Sequence, residues 1–336
     1  MKISEAIQTY YQDVHPEYED VRVSDLAQIA EGMECEIYSF KLCLSRSGQP
    51  KEMDRILRMY QIPTQDMGWL SRRHQREYLG LRWLHQHGYP VPAHVEMVDD
   101  LHYMGKPFLI MQRFAGASIG EAYRHMSPPE RAHILRRFCR LYWDLHLLPF
   151  KDFAGEHYRS IGEEIADLAN LSLGFEKHGF APGWEWLMKH PPSTMSPAVV
   201  HGDFHPENVL VGPGGELCVI DWTQVRVTDY RFDLGWTLLL GDAAGIRDKL
   251  LRGYEEARQA TVPDIAYFEA ASALKRLLIF ALILEDGPGI VGLRPGVEEK
   301  IAESMAEHIR ALYSRWYTIT DCHLEGINRH FPHPIR

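Results

Sequence analysis

The sequence has little of what marks exported, membrane-bound or nucleic-acid-binding proteins. Its five cysteines, Cys35, Cys43, Cys139, Cys218 and Cys322, are odd in number and scattered, with no CxxC pair and no Cys/His cluster. That pattern argues against a zinc module or a disulfide scaffold and fits reduced, buried thiols in a cytoplasmic protein. The opening MKISEAIQTYYQDV lacks the basic start and continuous apolar stretch of a secretory signal, so export is not expected. The most apolar run, LLIFALIL at 277–284, falls well short of the ~20 residues that cross a bilayer, so it reads as a core helix and no membrane partner is expected. Basic residues are in deficit, giving a formal charge of −10. Broad neutralisation of phosphates is therefore excluded, no nucleic-acid partner is expected, and a mild tilt toward cationic ligands follows.

No internal repeat and no low-complexity linker interrupts the chain, and with 45% hydrophobic and 24% charged residues it has the balance of an ordinary globular protein. Apolar residues alternate in CEIYSFKLCLS and in MDRILRMYQ around the turn-prone SRSGQP, which predicts an antiparallel hairpin. WLSRRHQREYLGLRWLHQHG then predicts a helix, with Leu70, Tyr78, Leu81, Trp83 and Leu84 near one stripe, ending at Gly88. PVPAHVEMV and KPFLIMQRF predict two further strands. A small amino-terminal lobe, a sheet with one helix, is expected over residues 1–115.

From SPPERAHILRRFCRLYWDLHLL onward the period is helical, with Ser127 as a cap and prolines in the first turn. Residues 116–336 therefore predict a larger, mostly helical lobe, and the chain as a whole an α+β fold of two lobes. The helical pattern is broken once, where NVLVG and ELCVID flank Pro-Gly-Gly as a hairpin. Later helices are expected in GIRDKLLRGYEEARQ, DIAYFEAASALKRLLIFALIL and VEEKIAESMAEHIRALYSRWYTIT. Trp184, Trp186 and Leu187 read as packing residues.

Just before that hairpin lies HGDFHPENVL, residues 201–210, and at the end of the next apolar run stands Asp221 in VIDW. Transfer of a phosphoryl group requires positioning more than covalent chemistry: a carboxylate to align an acceptor hydroxyl, and hard oxygen ligands for the magnesium that bridges the phosphates. Asp203 suits the first task, and the Asn208 amide with the Asp221 carboxylate suits the second.

These residues resemble the catalytic and metal-binding segments of the aminoglycoside phosphotransferase family, small-molecule kinases with a protein-kinase-like fold. The H-x-D-x-x-x-x-N spacing is shared with the protein-kinase catalytic loop, and VIDW stands where those enzymes carry D-F-G. The resemblance covers roughly residues 25 to 245. It implies Asp203 as catalytic base, His201 as support of its loop, His205 as a mark of the small-molecule branch, and Asn208 and Asp221 as magnesium ligands. It places Arg58 of MDRILRMY on the nucleotide phosphates, where lysine is commoner and Arg55 is the alternative, with Glu77 as its partner. Gly32 to Glu36 become the phosphate-covering loop, backbone groups of Gln112, Arg113 and Phe114 meet the adenine, and Asp233 in VTDYRFDLGWTLL holds the catalytic loop. ATP and Mg2+ are the implied cofactors. The implied partner is a small-molecule hydroxyl acceptor: an aminoglycoside, another antibiotic, an amino alcohol or a sugar. Glu255, Glu256, Glu285 and Asp286 are candidates to line a pocket for an amine-bearing acceptor. Oligomeric state is open.

Three other readings compete. A metal-dependent phosphohydrolase would share Gly202-Asp203-x-His205, but it needs further Gly-Asp and Gly-Asn-His segments; Gly241-Asp242 is present and no GNH occurs. A nucleotide-binding homologue without turnover would be expected to have lost the base or a metal ligand. A Ser/Thr protein kinase would need an A-P-E segment and a long activation loop, and little room is left before Asp229 to Asp233.

Overall fold

The structure, a computed structural model of the protein, describes residues 2–31, 34–64, 71–170 and 179–330. The expected hairpin forms from β2 (Cys35–Arg46) and β3 (Gln49–Tyr60), which pair antiparallel along their whole lengths. A long strand not assigned from the sequence, β1 (Glu19–Glu31), lies outside β2, while β4 (Glu96–Val98) and β5 (Phe108–Gln112) complete a five-stranded sheet in the order β1-β2-β3-β5-β4.

Because side chains alternate across a strand, the sheet has two apolar faces. One carries Leu57, Met59, Phe108 and Ile110 and is covered by α1 (Ile3–Val14), through Ile7, Tyr10 and Tyr11. The other carries Tyr60, Leu109 and Met111 and meets Leu81 and Leu84 of α2 (Arg73–Gln86). The amino-terminal lobe therefore has two helices rather than the one expected. The amphipathic segment at Ile3–Val14 is the second. Its tyrosine hydroxyls are anchored as donors to Glu96, at 3.2 Å from Tyr10 and 2.9 Å from Tyr11.

After β5 the chain crosses to β6 (Ala117–Ser118), α3 (Ile119–His125) and α4 (Pro128–His146), where Ser127 and Glu130 form the capping box. α5 (Ile161–Asn170) and α6 (Ala181–Lys189) follow, with Trp184 and Leu187 of α6 buried in the core. The lobe contains more β structure than the single expected hairpin. β8 (Val209–Val211) and β9 (Leu217–Val219) form that hairpin with β6 on its edge, but β7 (Pro197–Val200) and β10 (Arg226–Asp229) also pair antiparallel. These strands are four residues each, too short to show a period in sequence.

The remaining helices are α7 (Tyr230–Ala243), α8 (Arg247–Arg258), α9 (Ile265–Asp286), α10 (Val297–Ser304), α11 (Ala306–Thr320) and α12 (Glu325–Asn328). α9 contains LLIFALIL and runs through the core of the lobe. Among the described residues no helix is long and apolar enough to cross a membrane. The segment expected as one helix from Val297 is two, parted at Met305 (φ −107°, ψ 2°). Val297 and Ile309 both reach the same core, yet twelve residues of unbroken α-helix would set them about 120° apart, so the break lets both point inward.

α7 and α9 approach so closely that a Cβ on Gly235 would lie 2.7 Å from the Phe268 backbone carbonyl. Gly235→Ala is accordingly expected to force the two helices apart and destabilise the protein by about 1–3 kcal/mol, read from the midpoint of urea unfolding.

Candidate active site

The loop from 201 to 208 leaves the end of β7, and its shape is set by a buried acid on a helix. Asp233, in the first turn of α7, accepts the backbone N–H of His201 at 2.7 Å and that of Gly202 at 2.8 Å. Gly202 turns with φ +85°, and a Cβ there would stand 2.5 Å from Cβ of Gln224, so only glycine suits the position. Phe204 anchors the far side by stacking on Tyr142, with centroids 4.0 Å apart.

His201 is fully buried, and both ring nitrogens are engaged with backbone: Nε2 lies 2.9 Å from the Ile220 carbonyl, and Nδ1 accepts from Asp203 N–H at 3.2 Å. Burial holds its pKa below the ordinary value despite Asp233 and Asp203 nearby. A neutral, enclosed ring of this kind positions the loop and does not reach a reactant.

Asp203 is the exposed product of this arrangement. Its side chain keeps 24% of its surface open and has His205 Nε2 at 3.7 Å. Trp236 of α7 donates its indole N–H to Oδ1 at 2.5 Å. Burial works to raise this carboxyl's pKa, but His205, Arg276 and the Trp236 N–H together hold it far below the usual carboxylate range. Burial lowers His205, and its pairing with Asp203 more than reverses that. Trp236 was not singled out in sequence, although its i+3 spacing from Asp233 places both on one face of α7.

Asn208 and Asp221 come together through the β8–β9 hairpin, since Ile220 N–H donates to the Asn208 carbonyl at 2.9 Å. The Asn208 amide donates to the Asp203 carbonyl at 3.0 Å, which leaves its Oδ1 with no hydrogen bond among the described residues. Asp221 adopts the left-handed region at φ +68°, which costs a residue with a Cβ. Its Oδ1 accepts from Arg58 Nη2 at 2.8 Å. Two hard oxygens, Asn208 Oδ1 and Asp221 Oδ2, thus remain without protein donors, a set that suits Mg2+ when phosphate oxygens and water complete the shell.

Arg58 and Glu77 meet across the small lobe, Nη1 to Oε1 at 2.8 Å, and both are buried. Glu77 also accepts from the Tyr60 hydroxyl and from the Trp222 backbone N–H. Arg55 belongs to the opposite sheet face, where it donates to the Met53 sulfur, which removes it as the alternative to Arg58. At the lobe crossing, Gln112 N–H donates to the Ala93 carbonyl at 2.9 Å and Arg113 N–H to the Asp54 carbonyl at 3.1 Å. Those two N–H groups are therefore engaged, and Phe114 is the member of the three whose backbone N–H has no partner among the described residues. Gly32 lies outside the described residues.

Beside Asp203 opens a cavity of about 480 Å³, its mouth included, between α5, α7 and α9. None of Glu255, Glu256, Glu285 and Asp286 lines it. Glu255 instead accepts from Val262 N–H, and Glu285 faces His330. The residues that do line it include Glu164, Arg226, Lys275 and Arg276, which the sequence did not single out because each sits alone in a helix or strand far along the chain. Asp242 of the Gly241-Asp242 pair is exposed at the end of α7, and the described residues contain no group of three or more metal-ligating side chains. The two-metal hydrolase arrangement thus has no counterpart among them. Between Asp221 and β10 only four residues intervene, so no activation loop of the protein-kinase kind is present there.

The family model of the phosphotransferase enzyme family matches residues 46–267, more than half of the chain. The chain belongs to that family. The aminoglycoside 3'-phosphotransferase of Streptomyces fradiae is 30% identical over 171 residues, which are 46% of this chain and 59% of the relative. Acyl-CoA dehydrogenase family member 10 of Mus musculus is 23% identical over 176 residues, 49% of this chain and 16% of that protein. The chain thus spans less than two thirds of either relative. Among solved structures, a thermostable mutant of an aminoglycoside phosphotransferase in ternary complex with AMP-PNP and hygromycin B superposes at TM-score 0.60 with 15% identity, covering 94% of this chain and 98% of the other. That likeness shows the kinase-like fold of the phosphotransferase enzyme family.

Burial works to raise the Asp233 carboxyl, but His146 and the His201 contacts hold it below its ordinary value. Folded, it therefore releases its proton more readily than in the unfolded chain, and its stabilisation is complete above roughly pH 4 and lost as pH falls through the lower folded value. Asp233→Ala leaves two amides without an acceptor and is expected to cost about 3–5 kcal/mol, with a flatter dependence of stability on pH below that point. Urea unfolding across a pH series measures both.

Proposed function

We propose that the protein transfers the γ-phosphoryl group of ATP, delivered with Mg2+, to a hydroxyl of a small molecule. The observation that supports this most directly is one chain of contacts: Asp203, beside a cavity, is joined through its carbonyl to the Asn208 amide, Asn208 through its carbonyl to Ile220 next to Asp221, and Asp221 to the buried Arg58–Glu77 pair. ATP enters between the lobes, with Phe114 N–H at the adenine edge and Arg58 toward its phosphates. Asn208 and Asp221 would hold Mg2+, which would supply neutralisation of the phosphate charge.

The acceptor hydroxyl donates its hydrogen bond to Asp203. Because that carboxyl is held far below its ordinary pKa, it is a weak base. Its first task is to orient the hydroxyl oxygen, and it takes the proton late, as the bond to phosphorus forms. Trp236 and His205 fix the carboxylate from two sides, so the attacking oxygen has one approach. His201 keeps the loop rigid. The cavity walls exclude part of the water that would otherwise compete for the phosphoryl group.

Asp203→Asn is expected to lower acceptor-dependent ADP release by about 10²–10⁴-fold while MgATP still binds. Asp221→Ala is expected to weaken MgATP binding itself, by about tenfold to a hundredfold. Calorimetric titration with Mg-AMP-PNP separates the two, and undiminished turnover by Asp203→Asn would overturn the mechanism.

A further inference from the structure

The cavity beside Asp203 also carries information about the acceptor, an inference that rests on the phosphotransfer reading. Its described lining contains three cations, Arg226, Lys275 and Arg276, and two carboxylates, Glu164 and Asp203. Neither carboxylate is available to an amine. Glu164 is almost fully buried, with Oε1 accepting from Arg226 at 2.6 and 3.0 Å and Oε2 from the Thr228 hydroxyl. Asp203 is engaged by Trp236 and His205 and turned toward the acceptor hydroxyl.

The cations are matched differently. Arg226 is neutralised by Glu164, whereas Lys275 donates to the neutral amide oxygen of Gln224 at 2.8 Å. Arg276 has no carboxylate at ion-pair distance among the described residues. Its guanidinium lies over the rings of Trp236, at 4.7 Å, and Phe280, at 5.6 Å, and its buried Nε has no hydrogen-bond partner. The same Trp236 ring donates to Asp203, so Arg276 sits one aromatic ring away from the reacting position. The surroundings are crowded with positive charge: burial and the neighbouring Arg226 pull Lys275 down to about 7, and burial with Arg276 pulls His308 down to about 4.

A partly buried guanidinium whose enclosed Nε lacks a hydrogen-bond partner is costly unless an anion meets it, and its planar fork matches an oxyanion. An aminoglycoside amine would meet Lys275 and Arg276 with no free carboxylate in return among the described residues. We propose that the acceptor is a small hydroxylated anion, whose carboxylate or phosphate is held by Arg276 with Lys275 beside it while its hydroxyl reaches Asp203. The acidity of the whole chain pointed the other way, because net charge does not report on one cavity.

The test uses the full chain loaded with Mg2+ and ADP. Binding of 3-hydroxybutyrate, glycerol 3-phosphate, 1,3-butanediol, choline and kanamycin is followed by saturation-transfer NMR, and ADP release is measured with the same compounds and ATP. Either anion is expected to bind at least about tenfold more tightly than its neutral and cationic counterparts, and the better of the two tells carboxylate from phosphate. Arg276→Met is expected to weaken that binding by about tenfold to a hundredfold, and Arg276→Lys, which keeps the charge, to recover part of it. Preference for choline or kanamycin, failure of both anions to bind, or anion binding unchanged in Arg276→Met overturns the proposal. If cationic compounds are phosphorylated, the anion site falls and phosphotransfer stands. If anions bind through Arg276 but no compound ever accelerates ADP release, the anion site stands and the transfer reading is the one to fall.

Discussion

Arg58 reaches two carboxylates at once, Glu77 on α2 and Asp221 at the end of the β9 strand, each at 2.8 Å. One guanidinium therefore ties the sheet of the small lobe, the helix beneath it and the Asp221 segment of the large lobe. Burial opposes its charge, but Asp221 and Glu77 keep Arg58 well above its ordinary pKa, so the fork stays charged at any working pH. A buried ion pair of this kind is weak evidence for net stability, because desolvation offsets much of the attraction. Its value lies in geometry. A planar fork with both arms engaged fixes the distance between lobes, which the flexible stem of a lysine would fix less tightly.

Around that tie the site separates its carboxylates by environment. Asp233 is buried and accepts two backbone amides, so its charge shapes the loop and never meets solvent. Asp203, two residues along that loop from His201, keeps an open face and can meet a substrate. Glu164 is consumed by Arg226 and Thr228. Three acids within one cavity region thus have three separate duties, set by which donors surround each.

Much of this was legible in the order of residues. The alternation in CEIYSFKLCLS and MDRILRMYQ sufficed for the β2–β3 hairpin, and the same alternation put Ile56, Arg58 and Tyr60 on one face and Arg55 on the other. The HGDFHPENVL spacing, with Asp221 after the next apolar run, marked the segment that the structure joins to the β8–β9 hairpin, where Ile220 N–H meets the Asn208 carbonyl. What escaped were elements without a long period: β7 and β10 at four residues each, the break at Met305, and α1, whose amphipathic pattern has no meaning until a sheet face lies against it. At the lobe crossing, which N–H stays free among the described residues depends on Ala93 and Asp54, which lie in other segments.

The sequence by itself determined the periods and the spacing, because a strand face, a helix stripe and an H-x-D-x-x-x-x-N loop are each written within a few tens of adjacent residues. Tertiary structure alone decided the electrical character of the cavity beside Asp203. Glu164, Asp203, Trp236 and Arg276 are separated by tens of residues and belong to different elements, so which charges are cancelled and which is left facing the cavity depends on how α5, α7 and α9 pack around the loop.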